Sequence, residues 1–240
     1  MKANKTVYTE LILDPVILKK YNEIQKVDTT SYYHGVEHIK NVISIMNKFI
    51  SALNIESKTA DKLQTAVIFH DIGRSNVGKD HDKKSAEYFI AYVNDDCDNS
   101  KLMQESFDAN DIEEIANAIL THEEKENLDE LTSFQLLVNL ADKLDITKNR
   151  INLNGVVDEN NPASYYREIY LDVDDVEIMK NENIISINII GNENLSSERL
   201  FSIPFMKNME NVLCAFCKSI NCDFVLSVNN ETSRRSKFIM

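Results

Sequence analysis

Ala66-Val67-Ile68-Phe69-His70-Asp71-Ile72-Gly73 is the stretch on which the reading of this chain turns. Leu63, Ala66 and Val67 recur at helical spacing and run into His70, and Gly73 is placed to end the helix. A His-Asp pair in mid-helix would diverge. At a fraying helix end both side chains can turn toward one ion, and the carboxylate can bridge to a second. Working outward, all five histidines fall into one ordered series: His34, His38, His70, His81 and His122. No histidine follows His122. Asp142 completes the series, in Leu140-Ala141-Asp142-Lys143-Leu144. Scattered surface histidines would not sort themselves this way, so the distribution points to a metal centre in the region that ends near Asp142.

The surrounding sequence reads as a train of helices. Ile39, Val42, Ile43, Met46, Phe49, Ile50 and Leu53 form an apolar stripe from about Val36 to Leu53, and His38 shares its buried face. Ser57 can cap the next helix and Asp80 one that starts at His81. Asn110 or Asp108 can cap a helix leading to His122, and a last helix spans about Ser133 to Ile146. Each key residue lies along or at the end of an apolar stripe, so separate helices can converge on one buried point. An unpaired carboxylate at Asp142, amid Leu136-Leu137-Val138-Asn139-Leu140-Ala141, is costly to bury. A metal would offset that cost, as would a capping or salt-bridge partner.

After about Asn149 the texture changes. Val176-Glu177-Ile178-Met179 and Ile184 to Ile190 flank Lys180-Asn181-Glu182-Asn183, which reads as a hairpin. Met206 to Ser219 is amphipathic, Phe224 to Val228 reads as a closing strand, and Glu231 to Met240 as a loose tail. The expectation is a mainly α protein: a helical domain over residues 1–150 and a small α+β appendage, in β-β-α-β order, over 151–240.

Composition sets the bounds. A chain of 240 residues can bury a real core, and its 5 glycines and 3 prolines fit helices better than β-rich or disordered architecture. A net charge of −13 argues against a long nucleic-acid partner but not against a small phosphorylated molecule, because bound cations dominate a local field. No signal peptide and no membrane span is evident, so a cytoplasmic location is expected. Cys214-Ala215-Phe216-Cys217, with Cys222 nearby, reads as small buried side chains rather than half of a zinc site. Imidazole with carboxylate suits Fe, Mn, Co, Ni or Zn.

In this order His38, His70-Asp71 and Asp142 resemble the defining residues of the HD superfamily of metal-dependent phosphohydrolases. His81, in His81-Asp82-Lys83-Lys84-Ser85-Ala86, and His122, in Leu120-Thr121-His122-Glu123-Glu124, are similar to the two extra histidines of its two-metal members. The resemblance covers about residues 30 to 150. It implies that His38, His70, Asp71 and Asp142 hold a first divalent metal. Asp71 would bridge to a second, held also by His81 and His122. Tyr33-His34-Gly35-Val36-Glu37-His38 looks like the Tyr-His-Asn-x-x-His segment of cyclic-nucleotide phosphodiesterases, with Gly35 in place of Asn. That implies a general-acid role for His34, which can share a helical face with His38 and titrates in the useful range.

The implied activity is hydrolysis of a phosphoester or phosphoanhydride, of a nucleotide or another small phosphorylated molecule, through a metal-activated water with Asp71 bridging the ions. Arg74 and Lys143 are placed in sequence to meet substrate phosphate, or are solvated charges at helix ends. Two other readings stand beside it. Some members with this ligand set are di-iron oxygenases, and a metal-stabilised regulatory or ligand-binding module would use the appendage as its interaction surface. Oligomeric state carries no signal in the sequence.

Overall fold

The computed structural model describes residues 6–27, 34–74, 80–152 and 162–236. Tyr33, part of the segment around His34, lies outside them, as do residues 237–240 of the expected tail. Two helices, α1 (Val7–Leu11) and α2 (Pro15–Val27), open the chain. Asp14 starts α2: its Oδ1 accepts from the Val16 and Ile17 amides at 2.7 and 3.3 Å. Its Oδ2 accepts from the Tyr92 hydroxyl at 2.6 Å. The stripe beginning at Val36 folds as α3 (Val36–Leu53), burying His38, Ile39, Val42, Ile43, Met46 and Phe49. This helix has the bounds that its periodicity predicts.

Helix α4 (Ser57–Phe69) is capped by Glu56, not by Ser57: the Glu56 carboxylate accepts from the Thr59 amide at 3.0 Å. The helix stops at Phe69, with His70 in the capping position. Gly73 does not adopt the left-handed conformation expected of a terminating glycine. It is needed for another reason. A Cβ there would lie 2.3 Å from the Ser85 backbone nitrogen, so only glycine lets this turn approach the next helix, α5 (His81–Val93). Asp80 does precede α5 but caps nothing with its side chain. Its backbone is left-handed, φ 76°, which turns the chain sharply into His81.

Helices α6 (Asp98–Ser106) and α7 (Ala109–Leu120) follow. Of the two candidate caps for α7, Asp108 is the one used, in a reciprocal box with Asp111. Helix α8 (Ser133–Lys143) opens with a second such box, Thr132 with Gln135, and ends earlier than the expected Ile146. Asp145 and Ile146 therefore lie in the turn beyond it, held by the Asp145 amide to the Asp142 carbonyl at 3.1 Å.

The C-terminal part contains α9 (Pro162–Leu171), β1 (Val173–Asn181), β2 (Ile184–Gly191), α10 (Ser197–Phe201), α11 (Pro204–Ser219), β3 (Asp223–Val228) and β4 (Glu231–Arg235). The expected hairpin forms between β1 and β2, with Val176 opposite Ile189. β3 then pairs parallel with β2, which requires the helical crossover through α10 and α11. β3 is not the last strand. Glu231–Arg235, expected to be loose, pairs antiparallel with it as a polar edge strand. Ile185, Ile187, Ile189, Phe224, Leu226 and Val228 form the buried face of this sheet. α11 packs on both β3 and α8, and β1 packs on α3. One continuous apolar core joins the sheet to the helices, with Phe49 and Phe216 edge-to-face at 6.2 Å. No described helix is long and apolar enough to cross a membrane.

Candidate metal centre

Every residue of the His/Asp series sits at or near a helix end, and the ends converge. His38 lies in the first turn of α3, His70 caps α4, and Asp71 is the next residue. His81 is the first residue of α5, His122 lies two residues beyond α7, and Asp142 is in the last turn of α8. The histidines and Asp71 are buried. His34 is buried beside them, its ring edge-on to His38 with centroids 6.0 Å apart. Tyr21 fixes the central turn from below, its hydroxyl donating to the Ile68 carbonyl at 2.7 Å.

The hydrogen bonds dictate which imidazole nitrogens are bare. His70 Nδ1 is 2.8 Å from the Val67 carbonyl and His122 Nδ1 is 2.7 Å from the Ile119 carbonyl. His38 Nδ1 is 2.7 Å from Asp145 Oδ2. Carbonyls only accept, so Nδ1 of His70 and of His122 must carry the proton, whereas His38 Nδ1 lies between Asp145 Oδ2, which accepts, and Arg150 Nη1 at 2.8 Å, which donates. The Nε2 of His70 and of His122 is then a bare lone pair. His38 Nε2 and His70 Nε2 face each other at 3.1 Å. The bare His70 Nε2 can accept a proton carried on His38 Nε2 at that distance, and a metal ion between the two would take that proton's place.

Other donors surround the same point. Asp142 Oδ1 is 3.3 Å from His38 Nε2 and 3.5 Å from His70 Nε2. Asp71 Oδ2 is 3.6 and 3.8 Å from the same two atoms. Nitrogen and oxygen ligands about 2.0–2.2 Å from one divalent ion stand about 3–3.5 Å from each other, so this set fits with little adjustment. The other carboxylate oxygen of Asp71 faces the opposite way. Its Oδ1 is 3.2 Å from His81 Nε2 and 3.7 Å from His122 Nε2. The carboxylate thus touches both histidine pairs. His81 Nε2 is buried and makes no hydrogen bond, as expected of an atom whose partner is a metal.

Electrostatics follow from this crowding. Burial opposes ionisation of Asp71, but Arg74 and the surrounding imidazoles outweigh it and hold the carboxyl well below the usual range. Asp142 behaves alike, with burial outweighed by His38, His70 and Arg150. Burial pulls His70 down, but the Asp71 and Asp142 carboxylates prevail and raise it.

Three neighbours were not singled out from the sequence. Asp145 orients His38. Arg150 reaches the same group, its Nη1 3.4 Å from Asp145 Oδ2 and 3.5 Å from Asp142 Oδ1. Burial disfavours a charged guanidinium there, and the surrounding carboxylates more than offset this. Glu123, adjacent to His122, brings its Oε1 to 3.7 Å from His81 Nε2.

A cleft of about 880 Å³ opens beside the second pair, lined by Arg74, Asp80, His81, Glu123 and Lys125 among others. Arg74 bonds Asp71 at 3.2 and 3.3 Å and is a third exposed, so it faces both the carboxylate and the cleft. Lys143 has a different setting. It is buried, its Nζ 3.4 Å from the His122 carbonyl, and it is not among the residues lining the cleft.

With these helix ends and ligand clusters in place, the family comparison has a structural counterpart: residues 35–147 match the HD domain model. The chain carries an HD domain. The matched span runs from the residue before α3 to the turn after α8, and so includes every candidate ligand. HD domains form a superfamily of metal-dependent phosphohydrolases and bind divalent metals, and the His/Asp clusters here could hold such ions. Among curated proteins, none matches the chain.

Proposed function

We propose that this HD domain is a metal-dependent phosphohydrolase cleaving a phosphoester or phosphoanhydride of a nucleotide or another small phosphorylated molecule. The observation that carries the reading is the pair of Nε2 atoms of His38 and His70 at 3.1 Å, ringed by carboxylates, with a cleft that has His81 and an arginine on its wall beside the second pair. His38, His70, Asp71 and Asp142 would hold one ion. His81, His122 and the far oxygen of Asp71 would hold a second. Iron, manganese, zinc, cobalt and nickel all suit such donors. Bound divalent ions would supply Lewis acidity, lowering the pKa of water and offsetting phosphoryl charge.

The chain's own residues do the rest. Asp71 fixes the spacing between the two histidine pairs. Arg74 neutralises part of Asp71 and presents its remaining N–H groups to an anion in the cleft. His34, edge-on to His38, is the candidate to hand a proton to the leaving oxygen. Lys143 supports the turn that carries His122 rather than meeting substrate. The acidic cleft wall and the net charge of −13 favour a small anion over a long polyanion. We assign this role to residues 1–150 and treat 151–240 as an addition to the HD domain.

The test pairs metal analysis of anaerobically purified protein with a screen of phosphorylated small molecules in Mn²⁺. About two ions per chain and phosphate release are expected. Bound iron with O₂ consumption and no phosphate release would replace the reading by the oxygenase, and absence of bound metal would end it.

A further inference from the structure

The two histidine pairs are unequal unless Glu123 is counted. Around His38 and His70 stand a carboxylate of their own, Asp142, and the shared Asp71. Among the described residues, only the shared Asp71 stands by His81 and His122 until Glu123 is included. Each of His81, His122 and Glu123 offers one donor atom, and these lie within 4.8 Å of one another. The independent sign that a ligand belongs there is His81 Nε2, buried, without a hydrogen bond, and flanked by Asp71 Oδ1 at 3.2 Å and Glu123 Oε1 at 3.7 Å.

We propose that Glu123 is a protein ligand of the second ion, which gives that ion the same donor set as the first: two imidazoles, one carboxylate of its own and the shared Asp71. This rests on the two-ion reading above. The sequence neighbour Glu124 is not interchangeable with it. Its Oε1 accepts from the amides of Lys125, Glu126 and Asn127 at 2.9, 2.8 and 3.2 Å, which commits it to the turn. Glu123 has no such backbone bond, is half-exposed and lines the cleft, so its carboxylate forms the boundary between the buried pair and incoming substrate. A carboxylate there binds a hard or borderline cation without needing to be buried first.

The test uses the full chain and Mn²⁺ alone. Binding is followed by equilibrium dialysis, and by paramagnetic resonance, which distinguishes a coupled pair of ions from an isolated one. Glu123→Gln keeps the shape and removes the charge, and Glu124→Gln is the control. The expected result is a second ion bound at least about tenfold more weakly in E123Q, with the coupled signal lost, the first ion retained and the melting temperature of the metal-free chain unchanged. E124Q should keep both ions. A second ion held equally well by wild type and E123Q overturns the proposal while leaving the two-ion reading intact. One ion in wild type and no coupled signal overturns both.

Discussion

The two halves of the centre differ in how firmly they are built. The His38–His70 half lies in the core. Both Nδ1 atoms are engaged, Asp145 and Arg150 stand behind His38, and Asp142 closes the set. The His81–His122 half lies against the cleft, with an unpartnered Nε2 and a carboxylate that is half in solvent. Ligands held by their own hydrogen bonds need no reorganisation to receive an ion, and those facing water do. The difference suggests one ion that stays and one that exchanges, with Asp71 as the sole ligand common to both.

The sharpest way to break the comparison is to remove what the halves share. Asp71→Ala should abolish binding of both ions and all hydrolysis, and retention of one firmly held ion would mean that the halves are independent. Next in size, His34→Ala should keep both ions and slow turnover by ~10²–10⁴-fold, the usual scale for a general acid. Metal content measured beside the rate decides the role: loss of an ion would make His34 a ligand.

Much of the helical half was legible because its signals are local. The stripe of α3 gave its bounds, and the ordered His/Asp series gave six side chains that the fold brings within reach of one another. Asp145 could have been flagged by the argument applied to Asp142, since it too is a carboxylate in an apolar run, Leu144-Asp145-Ile146. His122-Glu123 repeats the logic of His70-Asp71 and carried a signal that was not used. Arg150 had no local signal, because its partners are set by the path of the chain after α8. Strand β4 was missed because an exposed edge strand of Glu, Thr, Ser and Arg has no apolar alternation to betray it.

A smaller perturbation sharpens the comparison from the buried side. Asp145→Asn keeps the size of the group and removes the charge that stands 2.7 Å from His38 Nδ1. Loss of such an orienting carboxylate typically costs about 10–100-fold in metal affinity. The loss should fall on the first ion alone, read as a weaker first step in a chelator competition with the second step unmoved. Equal weakening of both steps would mean that Asp145 acts through the fold rather than through His38.

The gentlest test uses pH. His70 is raised above its ordinary value in the metal-free chain. A group raised on folding contributes stability that is fully present below about pH 6.5 and is lost as pH rises through the raised value. Metal must displace that same proton, so affinity for the first ion should move the opposite way, falling by about tenfold per pH unit per proton displaced as the medium becomes acidic. Thermal melts of wild type and His70→Asn across this window, each with and without Mn²⁺, separate the two. The wild-type advantage should shrink with rising pH in the metal-free chain and grow with it in the loaded one. Parallel trends would show that His70 takes up no extra proton in the metal-free chain.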